Sequence, residues 1–320
     1  MKADRVGNLV AKYRHGGGSV PIVFVAHMDH PGFEMSGGNR AEFLGGVPRE
    51  YFPGAKIRVY GRDGLVRARI RRVHAAGWPR RKRVELFLAR GVRLNQGEFG
   101  MWDVPAFRVQ RDRLQAAAID DVLGVAVVLA TLAEAVRRKL RTQVWGVFTR
   151  AEEVGFPGAV AVAESGIIPR QALVISVEMS PQRPWARIGD GPVIRVGDRV
   201  AMFDPAAAYF LGEVARRCAE QRRGFQSQRC LMDGGTCEAT AFASYGYPVG
   251  GLCLPLGNYH NRGPAGKIRA EYVSVNDLTQ LVELAVAAAA EWPDRGRIAE
   301  SFQARVRQIR RESPRKLRND

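Results

Sequence analysis

Two adjacent acids, Glu152 and Glu153, follow directly behind the apolar run Val144-Trp145-Gly146-Val147-Phe148. A run of β-branched and aromatic residues reads as a buried strand, and open α/β sheets keep their ligand sites at the carboxyl ends of such strands. Neighbouring side chains at a strand end point in opposite directions. One carboxylate can therefore bind a metal while the other faces a water molecule as a general base. A Glu-Glu pair alone also fits a solvated loop, because acids usually sit outside. Four further stretches argue for a site.

The run Pro21 to Ala26 has the same buried-strand texture and ends in His27-Met28-Asp29. Residues two apart in a strand share a face, so an imidazole there can ligate a metal with one nitrogen while a nearby carboxylate orients the other. His15 and His30 read as loop histidines. Asp120 and Asp121 open an apolar helical pattern that runs through Val136. Capping explains acids at that place, and so does a carboxylate bridging two metals. A third buried strand, Ala172 to Val177, leads to Glu178, and the strand Pro248 to Leu254 leads to a loop carrying His260. Together His27, Asp120, Glu153, Glu178 and His260 form a nitrogen and oxygen donor set. Each of two ions could take one imidazole and one terminal carboxylate and share a bridge. That set suits two divalent ions, zinc first, with cobalt or manganese as alternatives. Two such ions acidify a water and polarise a carbonyl, and Glu152 would move the proton. The chemistry is amide hydrolysis.

The elements that must position these residues read as α/β: a mixed sheet sandwiched by helices. Helices are expected over Phe156 to Gly166, Asp204 to Arg223 and Leu278 to Ala290, and a turn at Met232 to Thr236 leads into another. Residues 41–107 differ in texture. Short alternating segments such as Lys56-Ile57-Arg58-Val59-Tyr60, punctuated by Gly and Pro, predict a small β-barrel inserted into a catalytic domain of residues 1–40 and 108–320. His74 lies in this insert and reads as structural.

The 320 residues, 46% hydrophobic and 25% charged, can bury a large core. No secretory signal or membrane-spanning run is evident. Cys218, Cys230, Cys237 and Cys253 lack CxxC spacing and read as reduced thiols of a cytoplasmic protein. The net charge of +17 invites nucleic acid as a partner. Its two clusters, Arg71, Arg72, Arg80, Arg81, Lys82 and Arg83, and Arg305, Arg307, Arg310, Arg311, Arg315, Lys316 and Arg318, lack interleaved aromatics. They read as solvated faces or subunit contacts.

The pieces AHMDHPGF, AIDD, TRAEEVGFPGA, VISVEMS, DGGT and LPLGNYHN, over roughly residues 20 to 290, resemble the co-catalytic metallopeptidases of the glutamyl and tetrahedral aminopeptidase family, some of whose members carry the name endoglucanase. The resemblance implies His27 and His260 as terminal ligands, Asp120 as bridge, Glu153 and Glu178 as carboxylate ligands, Glu152 as base and Asp29 as orienter of His27. It also implies a cis peptide between Asp120 and Asp121. An insertion between His27 and Asp120 points to the aminopeptidase branch rather than to carboxypeptidases and deacylases, whose lid follows the later ligands. In that branch the insert makes dimer contacts and dimers build a dodecamer, so a homo-oligomer and peptide substrates are implied. The chain departs from the pattern at Val122 (commonly Arg), His30 (Glu), Glu178 (Asp) and Cys237 (an acid). These departures keep open a catalytically silent scaffold of the same fold, and the shared ligand order keeps open a deacylase of N-acyl amino acids.

Overall fold

The computed structural model describes residues 2–16, 18, 20–75 and 81–312. In chain order it runs β1 (Lys2–Ala3), β2 (Leu9–Arg14) and β3 (Ile22–His27), then six barrel strands. These are β4 (Gly32–Gly37), β5 (Arg40–Leu44), β6 (Lys56–Gly61), β7 (Gly64–Ala75), β8 (Arg81–Phe87) and β9 (Phe99–Trp102). There follow β10 (Phe107–Gln110), β11 (Arg113–Ala116), α1 (Val122–Arg137), β12 (Gln143–Thr149), α2 (Pro157–Ser165), β13 (Leu173–Pro181) and β14 (Val193–Arg195). The chain continues through α3 (Pro205–Gln221), β15 (Gln228–Cys230), α4 (Glu238–Ser244), β16 (Val249–Leu256), β17 (Glu271–Ser274), α5 (Val275–Glu291) and α6 (Arg295–Glu312).

The main sheet has the order β1-β2-β12-β3-β13-β16-β14-β15. Its centre is parallel, with β12, β3, β13 and β16 side by side, and antiparallel neighbours make it mixed. Every residue of β3 is buried, as a strand covered on both faces requires. Alternation divides that strand between two cores. Ile22 and Phe24 pack with Val127, Leu211 and Leu284 of α1, α3 and α5, whereas Val23 and Val25 pack with Val162 and Phe242 of α2 and α4. Each such side chain contributes about 1.5–3 kcal/mol on burial. Helix α3 starts where Asp204 accepts the Ala206 and Ala207 amides with Pro205 in the first turn, and α5 starts where Ser274 accepts the Asp277 amide.

The barrel closes in the order β4-β5-β8-β7-β6-β9 around its own aromatic core of Phe33, Phe43, Phe52 and Trp102, with ring centroids 4.9 to 6.4 Å apart. Its strands begin at Gly32 rather than Ala41. Only Phe33 and Met35 of β4 face inward, too short an alternation to stand out beside the His27 motif. Glu178 likewise sits within β13 rather than after it, because the strand continues to Pro181.

Arg71, Arg72 and Arg83 are exposed on the barrel, and Arg305, Arg307, Arg310 and Arg311 on α6. Arg80, Arg315, Lys316 and Arg318 lie outside the described residues, as does the side chain of Arg81. No helix among the described residues is long and apolar enough to cross a membrane. All four cysteines are free thiols.

Candidate metal centre

The cluster forms at the carboxyl edge of the parallel strands. β3 ends at His27, and pairing of Val25 with Ser176 on β13 brings Glu178 level with it. The Asp120 carboxylate lies between two imidazoles, with Oδ1 3.4 Å from His27 Nε2 and Oδ2 3.3 Å from His260 Nε2. Glu153 Oε1 is 3.2 Å from the same His260 nitrogen. Three overlapping triplets, His27-Asp120-Glu178, Asp120-Glu153-His260 and His27-Glu152-Glu153, each bring one ligand atom per residue within 4.8 Å of the others, and all their residues are buried. Glu152 Oε2 is 4.0 Å from His27 Nε2.

Asp120 Oδ1 and both oxygens of Glu153 are buried and accept no hydrogen bond. Burying carboxylate oxygens without a donor is costly unless a cation compensates, and imidazoles with carboxylates are donors that divalent ions of the zinc, cobalt and manganese type accept. The residues present therefore fit a pair of such ions. Their own electrostatics agree. Burial alone would press His260 down, but the carboxylates of Glu153 and Asp120 beside it outweigh it and lift the imidazole to about 10. His27 is lifted in the same way, by Asp120 and then Glu152 against its burial. Burial tends to raise Asp120, yet the two histidines overcome that and hold it well below the usual carboxylate range. Burial, with Glu153 and Glu238 nearby, raises Glu152 well above that range despite the opposing pull of His27.

Asp29 Oδ1 lies 3.9 Å from His27 Nδ1, and the Asp29 carbonyl lies 3.0 Å from the same nitrogen. The Asp29 carboxylate also accepts the amides of Glu152 and Glu153, both at 3.1 Å. The carboxylate thereby pins the 3-10 turn Glu152–Val154, which is entered through left-handed Ala151 and left through left-handed Gly155. The Asp120–Asp121 peptide is cis, as the resemblance implies. Asp121 precedes α1 without capping it; its Oδ2 instead accepts the His27 amide at 3.2 Å. His260 Nδ1 lies 3.2 Å from the Gly46 carbonyl of the barrel, and the Tyr259 ring stacks on its imidazole at 3.8 Å.

Several residues of the site escaped the sequence reading. Glu238 is fully buried beside the cluster and accepts from Thr149 Oγ1 at 2.9 Å and Ser176 Oγ at 3.3 Å. Glu271, equally buried, accepts the amides of Ile119, Asp120 and His260. An acid opening an apolar helix was the only signal for the first, and a lone acid in a four-residue strand for the second. His30, read as a loop histidine, faces the Asp120 carbonyl and the Asn261 side chain. His15 and His74 stay outside the centre, the first against the Lys139 carbonyl and the second 3.4 Å from Glu85.

A mixed sheet between helix layers, a closed six-stranded barrel between β3 and β10 and an acid and imidazole cluster at the strand ends make an α/β fold with a candidate metal centre. Residues 7–284 match the sequence model described as M42 glutamyl aminopeptidase, and the chain belongs to that family. A relative from Acetivibrio thermocellus, described provisionally as an aminopeptidase, is 27% identical over 305 residues, which is 90% of this chain and 87% of the relative. The aminopeptidase APDkam598 of Desulfurococcus kamchatkensis superposes with a TM-score of 0.72 at 26% identity, covering 92% of this chain and 86% of its own. The TET1 peptidase of Pyrococcus horikoshii, which can assemble into a tetrahedron or a large octahedral shell, shares the fold with a TM-score of 0.72 at 23% identity, over 91% and 89% of the two chains.

Proposed function

We propose that this chain is a di-metal aminopeptidase that removes N-terminal residues from short peptides, with Glu152 as general base. The observation that carries the reading is the Asp120 carboxylate set between His27 and His260, with Glu178 completing one triplet and Glu153 the other. In it, His27, Asp120 and Glu178 would hold one cation and Asp120, Glu153 and His260 the second. Such ions, zinc first among them, supply acidification of a water and polarisation of the scissile carbonyl. The chain's own residues do the rest. The Asp29 carboxylate holds the turn so that Glu153 faces the cluster while Glu152 remains beside it. Raised by burial, Glu152 is a stronger base than a solvent-exposed carboxylate and would take the proton from the attacking water. It would then give that proton to the departing amine.

Assembly into a homo-oligomer, from dimer to dodecamer, with the barrel supplying dimer contacts, belongs to the same reading and is supported by the assembling TET1 relative. A cytoplasmic setting is supported by four cysteines left as thiols. The deciding experiment presents the purified protein, loaded with zinc, cobalt or manganese, with paired free-amine and N-acylated peptides. Release of the first residue from the free-amine member alone is expected. Cleavage restricted to the acylated member, or none with any metal, would sink the proposal.

A further inference from the structure

The two halves of the cluster are built differently. His27 ends β3 and Glu178 lies within β13, so both stand on hydrogen-bonded neighbours in the middle of the sheet. His260 stands on one 3-10 turn, Tyr259–Asn261, where Asn258, His260 and Asn261 have φ of 55°, 55° and 60°. Left-handed backbone is tolerated by Asn but strained for His, and it persists there only where the surroundings over-determine it.

Three side chains do that here. Glu271 accepts the His260 amide on Oε1 at 2.7 Å, and on Oε2 it accepts the amides of Ile119 at 2.7 Å and Asp120 at 3.1 Å. One buried carboxylate thus joins the main chain of one ligand to that of the other. Asn261 donates Nδ2 to the carbonyls of Ala117 and Arg269, at 3.0 and 3.1 Å, which turns its Oδ1 toward His30 Nε2 at 2.9 Å. The other ring nitrogen of His30 meets the Asp120 carbonyl. A single imidazole therefore lies between the Asp120 corner and the His260 turn on the opposite side, and since both partners are acceptors a neutral ring donates to one of them at a time.

We propose that His30, Asn261 and Glu271 act as one positioning brace, on which the cation site of Asp120, Glu153 and His260 depends while that of His27, Asp120 and Glu178 rests on the sheet. This rests on the two-cation reading above. None of the three residues touches substrate in this account; they act through Asp120 and His260.

The test reads metal rather than turnover. The full-length protein and its His30→Ala and Glu271→Gln variants are titrated calorimetrically with zinc, and bound zinc is counted by elemental analysis after dialysis. Glu271→Gln keeps the shape, but an amide offers oxygen to one side only and sets its NH2 group against a main-chain N–H on the other. Wild type should take two ions per chain. Each variant should keep one and bind the second about 10- to 100-fold more weakly, the usual range when a ligand's supporting partner is removed. In the His30→Ala background, adding His260→Ala should remove no further ion and adding His27→Ala should remove the one that remains. His30→Gln, which restores a donor toward Asn261, should recover part of the second site. Two ions of wild-type affinity in both variants, or equal weakening of both, would overturn the brace and leave the two-cation reading standing. Fewer than two ions in the wild type would overturn both. If Glu271→Gln does not fold, His30→Ala decides, because it leaves the Glu271 clamp in place.

Discussion

Glu152 and Glu153 are neighbours in sequence with different surroundings. Glu153 lies 3.2 Å from His260, with both oxygens buried and unbonded, while Glu152 adjoins the cluster 4.0 Å from His27. Exchanging Glu152 for Gln keeps the shape and removes the proposed base. It should lower kcat by about 10²- to 10⁴-fold with metal content unchanged by elemental analysis; near-normal kcat would remove Glu152 from its proposed role. The histidines predict a pH dependence of their own. In the metal-free centre His260 is held up to about 10, so below that pH it carries a proton that an incoming cation must displace. Zinc affinity should therefore rise as pH rises through the neutral range, about tenfold per unit for each proton displaced. Calorimetry in buffers of different ionisation enthalpy should count the released protons, and an affinity that is flat from pH 6 to 8 would contradict the assignment. The sequence made these residues legible because each follows or ends an apolar strand. It hid Glu238 and Glu271, whose partners lie far away along the chain: Thr149 and Ser176 for one, Ile119 and Asp120 for the other. No local pattern records such contacts.

At the scale of elements, helix α1 must begin immediately behind the cluster, and Gly124 makes room for it. A Cβ at Gly124 would lie 2.2 Å from Asp121 Oδ1, on the carboxylate that accepts the His27 amide. Glycine to alanine inside a helix normally stabilises by roughly 1 kcal/mol. Here the clash with a buried, bonded side chain should reverse the sign, with Gly124→Ala costing about 1–3 kcal/mol in urea unfolding and weakening zinc binding. A stabilised variant with intact zinc affinity would contradict this account. Strands β3, β12, β13 and β16 could be read from their continuous apolar runs because both their faces are covered. The edge pieces β14 and β15, three residues each, and the separate sheet β10-β11-β17 could not be recognised, since their pairing depends on partners distant in the chain. The helix over Asp204 to Arg223 was found nearly at its true limits, being long, periodic and capped at Asp204, whereas that over Leu278 to Ala290 begins three residues earlier, at Val275 behind the Ser274 cap.

For the molecule as a whole, the barrel and the sheet carry separate cores, so they can be perturbed separately. Trp102 packs against Phe33, Phe43 and Phe52, and Trp102→Ala should cost about 3–5 kcal/mol, read as loss of the barrel in denaturant unfolding. If the barrel makes the subunit contacts, light scattering of that variant should show dissociation relative to a wild type whose mass exceeds the 35.3 kDa of one chain several-fold. A monomeric wild type would remove the assembly proposal. The carbonyl of Gly46 against the far nitrogen of His260 gives the insert a second importance. Since main chain borrowed from the barrel faces that imidazole and bears on which way it turns, the appendage is not a detachable module. Chimeras that transplant another relative's barrel would have to reproduce one loop's path to a fraction of an ångström, or else rebuild the reactive edge of the sheet around a ring left free to swivel.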